Sequence, residues 1–92
     1  MSDVERGAPH VEWWEAASRN VDRWGLQDVE TLLLAMQEEQ GELAQAYLEA
    51  THEDGDADRI AEELEDLGAL CFQLAWRLEA DRSVDTERRA GE

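Results

Sequence analysis

The stretch Ile60–Leu78, IAEELEDLGALCFQLAWRL, decides the fold. Its apolar residues Ile60, Leu64, Leu67, Cys71, Leu74 and Leu78 stand 4, 3, 4, 3 and 4 apart, the seam of a helix packed against other helices. The spacing predicts a helix from about Asp58 to Ala80, with Leu70-Cys71-Phe72 in the core.

Upstream, Thr51 to Asp58 contains Asp54-Gly55-Asp56 and reads as a polar turn. Before it, Leu32, Leu33, Met36, Leu43, Tyr47 and Leu48 mark a helix ending near Ala50, with Asp28 as its N-cap. A short turn between two long helices makes an antiparallel αα-hairpin. A further helix is expected from Pro9 to Trp24, on Val11, Trp14, Ala17, Val21 and Trp24. Pro9 suits its first turn and Gly25 its stop. The expected organisation is therefore a disordered N-terminus over 1–8, a helical domain over 9–80 and a charged, mostly flexible tail over 81–92. Nothing reads as a strand. The fold class is all-α, a hairpin plus an N-terminal helix, completed into a four-helix-type bundle by oligomerisation to a homodimer or homotetramer. A chain of 92 residues has a limited core of its own, and partner helices would supply the missing apolar contacts.

Charge narrows the function. There are 24 acidic residues against 8 basic ones, a net charge of −16, and every basic residue is Arg. Such a surface repels phosphate backbones and anionic lipid and attracts cations, so neither a nucleic-acid polymer nor a membrane is an expected partner. The composition resembles that of halophilic proteins, where salt screens self-repulsion. A single cysteine, no membrane-length apolar run and no secretory signal fit a cytoplasmic protein.

Two acidic clusters could carry chemistry, Glu38-Glu39-Gln40-Gly41-Glu42 and Glu62-Glu63-Leu64-Glu65-Asp66. Glu39 with Glu42, and Glu63 with Asp66, stand three apart and project from adjacent turns of one helix side. At about 100° per residue, Glu39 lies about 20° and Glu42 about 80° from Leu32. Glu63 lies about 60° and Asp66 about 120° from the centre of the third helix's seam. Acids flanking a seam and facing other acids repel one another, and a cation between them removes the conflict. Mg2+ suits such a set, with Mn2+ as a substitute.

These residues resemble the MazG-type branch of the all-α nucleoside triphosphate pyrophosphohydrolases, whose pattern is Glu-Glu-x-x-Glu, a variable gap, then Glu-x-x-Asp. Here it reads Glu38-Glu39-Gln40-Gly41-Glu42, a gap from Leu43 to Glu62, and Glu63-Leu64-Glu65-Asp66. The similarity runs from about Leu32 to Leu78. It implies hydrolysis between the α- and β-phosphates of a canonical or non-canonical NTP or dNTP, releasing a monophosphate and pyrophosphate. Glu39, Glu42, Glu63 and Asp66 would then hold Mg2+, and Glu38 would be the catalytic base on water. Lys, used by larger family members on the phosphates, is absent, so Arg59 and Arg77 are the candidate substitutes. Trp13, Trp14 and Trp24 read first as core or subunit-interface packing, and Trp14 is the candidate among them for stacking on a base. Two alternatives stand beside this reading. One is a non-catalytic acidic helical oligomerisation module; the other is a phosphoribosyl-ATP pyrophosphohydrolase, which shares the carboxylate pattern.

Overall fold

The computed structural model describes residues 6–52 and 55–90, with side chains as far as Val84. Among the described residues there are three helices: α1 Pro9–Trp24, α2 Val29–His52 and α3 Asp58–Ala90. Among the described residues there is no strand, and no helix is long and apolar enough to cross a membrane.

Local chemistry sets most of the helix limits. Pro9 occupies the first turn of α1, where its missing N–H costs nothing. Gly25 ends α1 at φ 81°, a left-handed backbone open to glycine without strain, and its amide donates to the Val21 carbonyl at 2.8 Å. Asp28 caps α2 by accepting the Thr31 amide at 2.8 Å. Thr31, through its hydroxyl first and then this amide, holds the Asp28 carboxyl below the usual carboxylate range.

Two boundaries differ from expectation. Helix α2 continues to His52, where Ala50 was expected as its end. Helix α3 continues to Ala90 rather than stopping near Ala80. No Gly or Pro interrupts the run from Ala69 to Ala90, and i,i+4 pairs such as Arg77–Asp81, at 3.5 Å, suit a helix even where it carries no core. The expected disorder over 1–8 falls largely on residues 1–5, outside the described ones, as do Asp54 and the side chains of Arg88 and Arg89.

Helix α3 is the spine. Both α1 and α2 pack along it. The α1 contact is a cluster of small residues, Ala16, Ala17 and Ala69, bordered by Phe72 and Trp76. The Trp13 ring covers Gly68 so closely that a Cβ there would lie 2.5 Å from two ring carbons. Glycine at 68 is what admits the indole. Helix α2 runs antiparallel to α3, burying Leu32 and Ala46. Their two ends are pinned by Arg59 on Glu49 and by Arg77, whose Nη2 donates to the Leu26 carbonyl at 3.4 Å.

Only half of the α3 seam meets this interior, with Ile60, Leu67 and Leu74 half-buried. Cys71 is exposed, not in the core, and Leu64 and Leu78 are 40% and 52% exposed. Helix α1 docks through the small residues Gly68 and Ala69, about 80° and 180° around α3 from the centre of the seam. Trp76 packs within the chain against Trp14 and Phe72. On α1 the buried stripe passes through Ala16 and Ala17, leaving Val11, Trp14 and Trp24 exposed.

Candidate metal centre

The antiparallel pairing of α2 and α3 brings Glu39 opposite Glu63 and Asp66. Each of the three offers a carboxylate oxygen, and these oxygens lie within 4.8 Å of one another. Glu39 and Glu63 are half-buried and Asp66 is exposed. At that separation and an effective dielectric near 20, each ionised pair repels by about 3–4 kcal/mol before screening.

Little in the fold offsets this. Arg59 approaches Glu63 Oε1 with its Nε at 3.7 Å, but its Nη1 is committed to Glu49 Oε2 at 2.7 Å. Among the described residues no ion pair reaches Glu39 or Asp66. Glu39 Oε2 and Glu63 Oε2 are buried without a hydrogen-bond partner. Buried polar atoms are nearly always satisfied, so two orphaned oxygens at one spot call for a proton or a cation. Protonation is the response available to the bare chain. Burial, then the close approach of the Glu63 carboxylate, then the charges of Glu42, Asp66 and Glu63 push the Glu39 carboxyl up to about 8. Asp66 is also raised, by burial and then by Glu63, Glu65 and Glu62.

The donor set fits a hard divalent cation. All three ligands are carboxylates, as Mg2+ prefers, and opposed oxygens of an octahedral Mg2+ stand about 4.2 Å apart at its usual bond lengths. The three oxygens span little more than that.

The remaining residues singled out by sequence are distributed as follows. Glu42, one turn beyond Glu39, stands outside the three-residue group and is exposed, yet near enough for its charge to raise Glu39. Glu38 is exposed, about 100° around α2 from Glu39. Arg59 is at the site's edge. Arg77 is about 16 Å of helix rise from Asp66 and is engaged with Leu26 and Asp81. Trp14 packs edge-on against Trp76 at 6.4 Å.

Sequence reasoning missed two features. One is the Glu49–Arg59 pair, which spans the turn and so left no helical spacing to notice. The other is a cavity of about 280 Å3 lined by Asn20, Trp24, Gln27, Thr31, Leu70 and Gln73, among other residues. Its lining residues Leu70 and Ala35 stand one helical turn from Asp66 and Glu39, which do not themselves line it. Gln73, 4% exposed, is the buried polar residue at its floor; its Nε2 donates to the Ala69 carbonyl at 3.3 Å.

No family model matches the chain, and no curated protein or solved structure does either.

Proposed function

We propose that this chain is a Mg2+-dependent nucleotide pyrophosphohydrolase, cleaving an NTP or dNTP between its α- and β-phosphates to give NMP and pyrophosphate. One observation carries the reading: Glu39 and Glu63, whose carboxylates come within 4.8 Å of each other and of Asp66, each have a buried Oε2 with no hydrogen-bond partner. The carboxylate spacing, similar to that of the MazG-type enzymes, agrees with it. Glu39, Glu63 and Asp66, joined by Glu42, would hold the metal. Bound there, Mg2+ supplies neutralisation of phosphate charge and orientation of an in-line water.

The chain's own residues do the rest. Glu38 takes a proton from the water that attacks the α-phosphorus; the bond from that phosphorus to the α,β-bridging oxygen breaks, and pyrophosphate leaves with the electron pair. Arg59 faces the phosphates from the site's edge. The neighbouring cavity receives the base, with Trp24 as its wall and the amides of Asn20, Gln27 and Gln73 toward polar edges. This assigns the stacking role to Trp24 rather than Trp14. Oligomerisation into a four-helix-type bundle belongs to the same reading.

A screen of standard and modified nucleoside triphosphates for pyrophosphate release, with Mg2+ and in high salt, tests it. Release should need Mg2+ and fall by two orders of magnitude or more in Glu63→Gln and Glu39→Gln, in line with loss of a metal ligand. Glu38→Gln with undiminished turnover removes Glu38 as base. The non-catalytic module gains favour from the broad apolar exposure of α2 and α3. It would show neither pyrophosphate release nor a Mg2+-induced rise in melting temperature.

A further inference from the structure

We infer that Glu49 is a positioning residue of the acidic group. It holds the Arg59 guanidinium at the edge, and so keeps the space between Glu39, Glu63 and Asp66 open to a divalent cation. The inference rests on the metal reading above for the identity of that cation. Glu49 is fixed from several sides. Its Oε2 accepts from Arg59 Nη1 at 2.7 Å and its Oε1 from Gln45 Nε2 at 3.0 Å. Its backbone carbonyl accepts the Gly55 amide at 2.8 Å, across the turn. Gly55 lies so close that a Cβ there would stand 2.9 Å from the Glu49 carbonyl carbon and Cβ. Both carboxylate oxygens and the backbone of Glu49 are therefore engaged.

Arg59 stands between two anchors. Besides its bond to Glu49, its Nε lies 3.7 Å from Glu63 Oε1, beyond hydrogen-bond reach. A guanidinium is always charged and offers its donors in a rigid fork that matches carboxylates. Without Glu49, it would move toward the densest negative charge within reach. That is the group of three carboxylates whose oxygens lie within 4.8 Å of one another, with Glu63 one helical turn from Arg59. Seated there, the guanidinium would neutralise the acids and take a cation's place. Glu49 opposes this by accepting the short bond at the turn end of the hairpin, and Gln45 steadies its carboxylate from the other side. As a contribution to folding, a pair in which Arg59 is 41% and Glu49 31% exposed counts for little. Its consequence lies in where the positive charge is kept.

Calorimetric titration of the full-length protein with MgCl2 in 1 M KCl tests the inference, since the salt suppresses diffuse charge effects. Glu49→Gln should weaken Mg2+ binding about tenfold, the usual loss when a residue behind the ligands is removed. Arg59→Gln should bind at least as tightly as the wild type. Glu49→Gln/Arg59→Gln should match Arg59→Gln within about twofold, because Glu49 acts only through Arg59. Glu62→Gln, which removes the same charge beside Glu63, should stay within about threefold of the wild type at this salt. Undiminished binding in Glu49→Gln overturns the inference. So does a double variant, or a Glu62→Gln, as weak as Glu49→Gln. A metal-free measurement, NMR relaxation at the Arg59 Nε–H, separates this inference from the metal reading. The Arg59 side chain should be ordered in the wild type, remain so in Glu63→Gln, and become mobile in Glu49→Gln/Glu63→Gln. An Arg59 that is mobile in the wild type, or that Glu63→Gln alone sets free, overturns the inference whatever Mg2+ does. A wild type that binds no Mg2+ while Arg59 behaves as expected removes the metal reading and upholds Glu49 as the residue that keeps Arg59 off the acids.

Discussion

Glu39 carries the conflict on which the site rests, and the conflict has a measurable sign. Its carboxyl sits at about 8 in the folded chain against an ordinary value of 4.5. Between those values the native state binds more protons than the unfolded state, so stability falls as pH rises through that window and levels off above about 8. The raised Asp66 adds in the same direction. General repulsion in so acidic a chain also relaxes at low pH, so the informative quantity is the difference between wild type and Glu39→Gln. In urea melts without divalent ions, the variant should gain on the wild type as pH goes from about 5 to 8.5. The gain should be on the order of 1 kcal/mol, because solvent screening at a half-exposed site reduces the full Coulomb penalty. With Mg2+ present the order should reverse, since the ion displaces the proton and binds more tightly as pH rises toward 8. A difference that is flat with pH would mean Glu39 is an ordinary surface acid.

At the scale of elements, two glycines separate close packing from open helix. Alanine normally stabilises a helix interior by about 0.5–1 kcal/mol over glycine. At Gly41 nothing lies within 4 Å of the added methyl, so Gly41→Ala should show that gain in a thermal melt. At Gly68 the methyl would meet the Trp13 ring at 2.5 Å, so Gly68→Ala should lose about 1–3 kcal/mol from forced separation of α1 and α3. Equal effects at both positions would contradict the packing of Trp13. The same contrast explains what could be read in the sequence. Pro9, Gly25 and Asp28 act on their own neighbours, so the bounds of α1 and the start of α2 were legible. The far end of α3 was not, because a charged run such as Asp81–Arg82 reads equally as tail or helix. Seam periodicity shows that a stripe is apolar without showing what covers it, and within one chain the small residues at 68 and 69 decided where α1 docks. Of the four acids, the three that converge were visible as i,i+3 spacings flanking apolar residues. The Glu49–Arg59 pair depends on the path of the turn, which spacing does not encode.

For the whole molecule, a net charge of −16 on 92 residues makes self-repulsion a global cost, and pairing two copies would compound it. Monovalent salt shortens the screening length from about 8 Å at physiological strength to about 3 Å at 1 M, so KCl should raise the melting temperature and favour association. Mg2+ at millimolar concentration can act in two ways, by the same diffuse screening or by occupying the acidic group between α2 and α3. The two routes separate by substitution. Glu39→Gln changes one charge in a large total, so its response to KCl should match the wild type. Its response to Mg2+ measured in 1 M KCl, where diffuse screening is already saturated, should disappear. A wild type that gains nothing from Mg2+ in that background would show that the acids bind no ion specifically. A variant that keeps the full Mg2+ response would place the ion elsewhere on the acidic surface.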